Sequence, residues 1–200
     1  MTVAARRLTD RPPAAADRAA ELDGATLRRA QAGDRAATQA LVERYQGPVF
    51  ALIGRLVGAG RAAQVEDLAQ DTFLAVFRTL SGFDPRGPAR LSTWILAIAT
   101  RRAIDELRRP WLVGGDDAAR VASPRRGDDG ARRAEIAAAV ERAVGALAPD
   151  YRATFLLHEY HGLGYGEIAV ALGVDLGTVK SRMSRARAAL RAALAEVHGD

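Results

Sequence analysis

The residues best placed by type and spacing to bind a ligand are cations near the C-terminal end. Between Thr178 and Arg191 the chain carries five basic side chains and no acidic one. They are Lys180, Arg182, Arg185, Arg187 and Arg191. A helix with this charge pattern attracts a polyanion, because its cations face phosphate groups without internal neutralisation.

The sequence around these cations predicts two helices joined by a tight turn. Ile168 to Leu172 has the spacing of a short packing helix, Gly173 supplies a left-handed corner residue, and Val174 fills the corner. In the helix that follows, a narrow apolar stripe contains Val179, Met183, Ala186 and Leu190. The pattern favours a DNA-reading helix-turn-helix over a basic surface helix or a membrane-surface helix.

The opposite face of the second helix carries the candidate DNA contacts. Lys180, Ser181, Ser184 and Arg185 point away from the apolar stripe, and Arg182 and Arg187 flank it. Thr178, at the start of the helix, completes the candidate set.

A second unusual face lies on the helix predicted over residues 65–80. Its core side contains Val65, Ala69, Thr72, Phe73, Val76, Phe77 and Leu80. On the far side, Asp67 and Asp71 are four residues apart and repel each other by a few tenths of a kcal/mol, roughly 0.2–0.5. Gln70 and Leu74 share that side. The face is either a solvated polar surface or a docking surface for a basic partner, with Leu74 as its apolar anchor.

A tryptophan among arginines marks the next helix, residues 91–109. Ser92 or Thr93 is its predicted cap, and Asp105 is predicted to orient the arginines. Opposite its core side lie Trp94, Ile98, Arg101, Arg102, Asp105, Arg108 and Arg109. Trp94 either packs on a neighbouring helix or, with the arginines, forms a platform for unstacked bases of single-stranded nucleic acid.

Catalytic chemistry has little support in the sequence. His158 and His161 could share a metal, but no third ligand lies on the same helix face nearby, so surface or packing roles are favoured. Ser181 and Ser184 lack an adjacent base that would make either a nucleophile. We therefore predict no catalytic residue, no metal site and no cofactor.

Composition is that of a globular protein with an anionic partner. The 200 residues are 48% hydrophobic and 26% charged, with a net charge of +5 and no cysteine. No apolar stretch reaches the roughly 20 residues of a membrane span, and the N-terminus lacks an apolar signal core. These features favour a cytoplasmic protein without membrane insertion.

Helical periodicity without strand-like alternation predicts an all-α fold of two small helical domains joined by a flexible linker. Asp34 is predicted to cap a helix that runs to about Tyr45, and Pro48 to open the next one. The predicted division is a disordered tail at 1–22, a first domain at 23–110, a linker at 111–131 and a second domain at 132–200.

Four segments in this order resemble the sigma-70 superfamily, specifically its short extracytoplasmic function (ECF) group of RNA polymerase sigma factors. Residues 28–58 look like region 2.1, VEDLAQDTFLAVFR (65–78) like region 2.2, and STWILAIATRRAIDELRR (92–109) like regions 2.3 and 2.4. Residues 146–191 look like regions 4.1 and 4.2. The resemblance covers most of the chain from Thr26 to Ala193.

The resemblance implies a role for each surface. Asp67, Gln70, Asp71 and Leu74 would dock on the β′ clamp helices of core RNA polymerase, and the β flap is a further expected contact of the chain. The helix with Trp94 would hold the non-template strand of the minus-10 element, and the face with Lys180 would enter the minus-35 major groove. The linker would thread toward the polymerase active site, and an anti-sigma factor is an expected further partner.

Two positions depart from the family pattern. Arg101 stands where many relatives have Asn, and Gly164 stands where a Ser often caps the first helix of the helix-turn-helix. The rival interpretation is an autonomous repressor or activator that uses the helix-turn-helix alone. It leaves the acidic and the aromatic-basic faces of the other domain unexplained.

Overall fold

The computed structural model describes residues 21–58, 61–108 and 128–197, and within these ranges every regular element is helical. The all-α prediction is therefore confirmed. The helices are α1 Gly24–Gln31, α2 Arg35–Val57, α3 Ala62–Thr79, α4 Leu91–Arg108, α5 Asp128–Gly145, α6 Pro149–Glu159, α7 Tyr165–Leu172 and α8 Leu176–Val197. A short 3-10 turn, Leu80–Gly82, follows α3. Among the described helices, none combines the length and apolarity needed to cross a bilayer.

The N-terminal helices begin at aspartates. Asp23 accepts hydrogen bonds from the backbone of Ala25 and Thr26, and Asp34 accepts one from Ala37 N at 2.7 Å. The predicted Asp34 cap is confirmed.

The prediction that Pro48 opens a new helix is wrong, because Pro48 lies inside α2. A proline in a helix lacks one N–H donor and therefore one backbone hydrogen bond. Val49, Leu52 and Ile53 are fully buried just beyond it, and their packing keeps the helix continuous.

Helices α1–α4 form a first bundle around α2, which packs against α1, α3 and α4. Its centre contains Leu41, Tyr45, Leu52 and Ile95, all at most 1% exposed. The Tyr45 hydroxyl accepts a hydrogen bond from Leu22 N at 2.9 Å, so this buried polar group is satisfied.

Helices α5–α8 form a second bundle in which α8 packs against the other three. The predicted apolar stripe of α8 is confirmed, because Val179, Met183, Ala186 and Leu190 are all buried. Leu156 and Ile168 pack into the same hydrophobic core.

The predicted tail and linker fall mostly on residues 1–20 and 111–127, which lie outside the described part of the chain. At their edges the prediction is corrected. Glu21 and Leu22, assigned to a disordered tail, are held by hydrogen bonds to Ser92 and Tyr45, and Asp128 already belongs to α5. The division into domains remains a prediction.

The two bundles contact each other directly. Helix α7 packs on α4, and α6 packs on α2 and α4. Buried residues of both bundles belong to one continuous hydrophobic cluster.

Candidate nucleic-acid and protein interfaces

The exposed face of α8 contains four of the predicted DNA contacts. Lys180, Ser181, Ser184 and Arg185 are all exposed. Arg185 donates a hydrogen bond from Nη1 to the Tyr151 hydroxyl at 3.0 Å, and its guanidinium lies 6.0 Å from the centre of that ring. Tyr151 on α6 therefore positions Arg185. Sequence reasoning missed this residue, because no local pattern relates α6 to α8.

The start of α8 is fixed by an aspartate that the sequence prediction also missed. Asp175 accepts hydrogen bonds from Thr178 N at 2.7 Å and from Thr178 Oγ1 at 2.5 Å. These bonds lower the pKa of the Asp175 carboxyl from its ordinary value. Thr178 therefore acts in the cap of α8, because both its N–H and its hydroxyl donate to Asp175. The Asp175 carboxylate also offsets the unfavourable position of Lys180 near the helix N-terminus.

The corner before α8 has the predicted geometry. Gly173 has φ +67°, in the left-handed region, and ends α7. Gly164 stands at the N-cap of α7, where its N–H donates to Glu167 Oε2 at 2.8 Å. Gly164 has no side chain to cap α7, and the Glu167 carboxylate still satisfies the backbone N–H of this N-cap residue.

Arg182 and Arg187 differ from the four exposed residues, because both are held in ion pairs with α6. Arg187 lies 3.5 Å from Glu159, and its side chain is only 13% exposed. Arg182 lies 3.7 Å from Asp150, with 21% of its side chain exposed. The structure therefore places both cations toward α6, away from the exposed basic face.

Trp94 on α4 is half-buried and rests on another aromatic ring. Its ring centroid lies 5.1 Å from that of Phe83, in the loop before α4. Gln31 holds this loop, donating from Nε2 to the carbonyl oxygens of Leu80 at 3.0 Å and Phe83 at 2.8 Å. Phe83 and Gln31 were not predicted, since only the fold brings α1 and this loop beside Trp94.

The predicted cap of α4 is wrong. The helix begins at Leu91, Thr93 is buried, and the Ser92 hydroxyl donates to the Glu21 carboxylate. That carboxylate also accepts a hydrogen bond from Ser92 N at 3.4 Å, so Glu21 serves this helix N-terminus.

The other predicted residues of α4 divide into two groups. Ile98 is half-buried beside Trp94, and Arg102 is exposed. Arg101 instead donates from Nη2 to the Ala171 carbonyl of α7 at 3.0 Å, and Arg108 pairs with Asp150 of α6 at 3.1 Å. Arg109 lies outside the described residues.

The prediction that Asp105 orients the arginines is not supported by its contacts. Among the residues that the structure describes, Asp105 makes no ion pair with Arg101, Arg102 or Arg108. Arg101 and Arg108 reach the second bundle instead.

The far side of α3 is exposed as the sequence indicates. Asp67, Gln70 and Asp71 are exposed, and Leu74 is 43% exposed. No ion pair involves either aspartate within the described ranges. The predicted core side is correct except at Phe77, which is 37% exposed next to this face.

The two histidines are packing residues. His158 is fully buried, with Nδ1 2.9 Å from the Leu163 carbonyl oxygen and its ring tilted at 55° against that of Tyr165. Burial and the nearby positive charge of Arg55 lower the pKa of His161 to about 4. No cluster of three or more metal-ligating side chains occurs in the described part of the chain.

Comparison with protein families gives two matches. Residues 41–112, a range that includes α3 and α4, match the family described as Sigma-70 region 2. Residues 137–190 match Sigma-70, region 4, which includes the helix-turn-helix.

Individual relatives match over most of their length. The chain is 35% identical over 189 residues to the RNA polymerase sigma-H factor of Pseudomonas aeruginosa, covering 87% of this chain and 94% of that one. It is 33% identical over 183 residues to the ECF RNA polymerase sigma-E factor of Escherichia coli K12, covering 84% and 92%. A solved structure of CnrH in complex with the cytosolic domain of CnrY is 30% identical, with a TM-score of 0.62 and coverage of 86% and 96%.

Proposed function

Because the chain belongs to the sigma-70 family of RNA polymerase sigma factors, we propose that it is an ECF-type initiation factor that binds core RNA polymerase and selects promoters. The observation that supports this most directly is the presence of three distinct surfaces on one chain. They are the acidic face of α3, the aromatic-basic face of α4 and the basic face of α8. An autonomous helix-turn-helix regulator needs only the third.

The acidic face is assigned to core polymerase. Asp67, Gln70 and Asp71 surround the half-exposed Leu74, and the aspartates have no internal cation to neutralise them among the described residues. A basic, apolar-centred partner surface such as the β′ clamp helices would remove the repulsion between the two carboxylates and bury Leu74.

The two DNA surfaces are assigned to different promoter elements. Trp94 is half-buried and tilted against Phe83, and we assign it to stacking with unpaired minus-10 bases, with Ile98 and Arg102 beside it. Lys180, Ser181, Ser184 and Arg185 face outward for the minus-35 major groove. Arg101, Arg108 and Arg109 belong to the minus-10 set by resemblance, as Thr178, Arg182 and Arg187 belong to the minus-35 set.

The chain acts by binding and catalyses no reaction itself. Phosphate contacts position the chain and base contacts choose the sequence, while polymerase performs the catalysis. A protein with this task acts in the cytoplasm, at the nucleoid when assembled in holoenzyme. Core polymerase with its β flap, promoter DNA and an anti-sigma factor are its partners. The similar protein CnrH is solved in complex with the cytosolic domain of CnrY, which supports a further protein partner for this chain.

The decisive experiment is in vitro transcription with purified core polymerase on a genomic fragment library. We expect initiation from a small set of promoters that share two elements, and only when this chain is present. DNA binding without core polymerase, together with no initiation, would instead support an autonomous regulator.

A further inference from the structure

We propose that Tyr151 is a positioning residue that sets the base specificity of α8: its hydroxyl holds Arg185 so that the guanidinium group reads a guanine base instead of contacting a phosphate. The proposal rests on the function assigned above and deepens it. It identifies the cation of the basic face that chooses the DNA sequence, and the contact that directs this cation to a base.

Tyr151 is itself held in place at the start of α6. Pro149 opens this helix, and Tyr151 N donates to the Ala148 carbonyl oxygen at 2.9 Å, so the first turn is formed. The Tyr151 ring is half-buried and packs against the hydrophobic cluster, and α6 packs on α8. A tyrosine side chain has few rotatable bonds, and packing of the ring restricts them. The hydroxyl group therefore has a defined position beside α8.

Arg185 is held through one nitrogen of its guanidinium group. Nη1 donates to the Tyr151 hydroxyl at 3.0 Å, and the guanidinium carbon lies 6.0 Å from the centre of the Tyr151 ring. Within the described ranges this is the only hydrogen bond of the Arg185 side chain, so Nε and Nη2 keep their donors on the other edge of the group. Two parallel donors on one planar edge match the N7 and O6 acceptors that guanine presents in the major groove.

A restrained arginine discriminates between bases better than an unrestrained one. An unrestrained Arg185 could turn to a neighbouring phosphate, which carries no sequence information. The hydrogen bond to Tyr151 opposes this rotation. With the guanidinium group held toward the bases, a base pair that lacks the two acceptors leaves the donors unpaired. The Tyr151 hydroxyl thus increases the difference between base pairs more than the overall affinity.

The other cations predicted for this surface lack this combination of exposure and support. Lys180 is exposed, but no hydrogen bond or ion pair holds its side chain in the described part of the chain, and its ammonium group is a point charge suited to a phosphate. Arg182 is supported by Asp150 at 3.7 Å, but only 21% of its side chain is exposed. Arg185 is both exposed and supported, so the first turn of α6 favours it as the cation that reads a base.

The test measures promoter discrimination by the holoenzyme. Each base pair of the minus-35 element is replaced in turn on a promoter from which the wild type initiates, and the affinity of holoenzyme for each promoter is measured. We expect the wild type to prefer guanine at one position. Tyr151→Phe removes only the hydroxyl and should reduce this preference about two- to tenfold, the range expected for one net hydrogen bond. Preferences at the other positions should not change.

Tyr160→Phe is the matched control, because it removes a hydroxyl from the other end of α6, where the ring contacts Arg55 of α2. It should leave every base preference unchanged. In an Arg185→Ala background, Tyr151→Phe should have no further effect on discrimination, because no guanidinium group remains to be held. A Tyr151→Phe variant that keeps the wild-type preference, or that binds all promoter variants equally more weakly, would overturn the proposal.

The mobility of Arg185 gives a second readout, which does not depend on polymerase. Nitrogen spin relaxation of the Arg185 Nε–H group reports how strongly this side chain is restrained in the free chain. We expect a higher order parameter in the wild type than in Tyr151→Phe, and equal values would show that the hydroxyl does not hold Arg185. If the wild type with core polymerase selects no promoter, the sigma assignment fails and the base-reading role fails with it. An active holoenzyme whose preferences ignore Tyr151→Phe refutes the role of Tyr151 alone.

Discussion

At the scale of single residues, contacts decide between side chains that the sequence placed in one candidate set. Arg185 and Arg187 are both arginines on α8 and were predicted together. Arg185 is exposed and supported by Tyr151, whereas Arg187 is 13% exposed and paired with Glu159. A difference of two positions on a helix turns a side chain by about 200°, so the two point to nearly opposite sides.

This difference predicts two separable phenotypes. If Arg185 contacts a base edge as proposed, Arg185→Ala should cost about 1–3 kcal/mol at a preferred minus-35 base pair and leave stability unchanged. Arg187→Ala should lower the free energy of unfolding by about 1–3 kcal/mol, because Glu159 is left poorly solvated without its partner. Promoter-variant titrations with holoenzyme and urea unfolding measure the two effects. An equal loss for Arg185→Ala on all sequences would identify a phosphate contact instead.

Asp71 gives the prediction for the acidic face. Asp71→Arg should abolish binding of core polymerase, since it places a cation against a basic partner, while the exposed position leaves the fold intact. Core-polymerase titration by fluorescence anisotropy measures this loss. Glu135→Arg on α5 is the matched charge reversal and should bind normally. Unchanged affinity of Asp71→Arg would remove the docking assignment.

At the scale of elements, capping and corner residues determine where the recognition helix begins. Asp175 fixes the first turn of α8, Glu167 serves the start of α7, and Gly173 lets the chain reverse between them. The predicted corner was correct because a left-handed residue after a short apolar helix has few alternatives to glycine.

Alanine substitutions at two glycines of this motif should have opposite effects on stability. Gly173→Ala should destabilise the protein by about 1–2 kcal/mol, because φ +67° is strained for a side chain even though the space is sufficient. Gly166→Ala, in α7 and with no atom within 4 Å of the added Cβ, should stabilise it by about 0.4–1 kcal/mol. Urea midpoints compare the two. A neutral Gly173→Ala would contradict the left-handed corner.

At the scale of the whole molecule, contacts between the bundles bury a titratable group. His161 lies in the turn after α6, near Arg55 of α2, and its pKa is lowered to about 4. The unfolded chain binds a proton near pH 6.5 and the folded chain does not, so stability is present above pH 6.5 and is lost as pH falls toward 4.

We therefore expect the wild type to lose about 1–2 kcal/mol of unfolding free energy between pH 7 and pH 5. The His161→Gln variant has no titrating group at this position, so its unfolding free energy should fall less between pH 7 and pH 5 than that of the wild type. Urea unfolding at both pH values measures the difference. Parallel losses in the two proteins would show that His161 is not the group responsible.

The sequence by itself determined the helical fold, the stripe of α8, the helix-turn-helix corner and the exposed acids of α3. These features are set by periodicity, charge and glycine, which are local along the chain. Only the tertiary structure decided which arginines are exposed, that Tyr151 and Phe83 support Arg185 and Trp94, and that α2 continues through Pro48. The physical reason is that burial and hydrogen-bond partners depend on distant segments: Arg101 and Ala171 are 70 residues apart, and Gln31 and Phe83 are 52 apart.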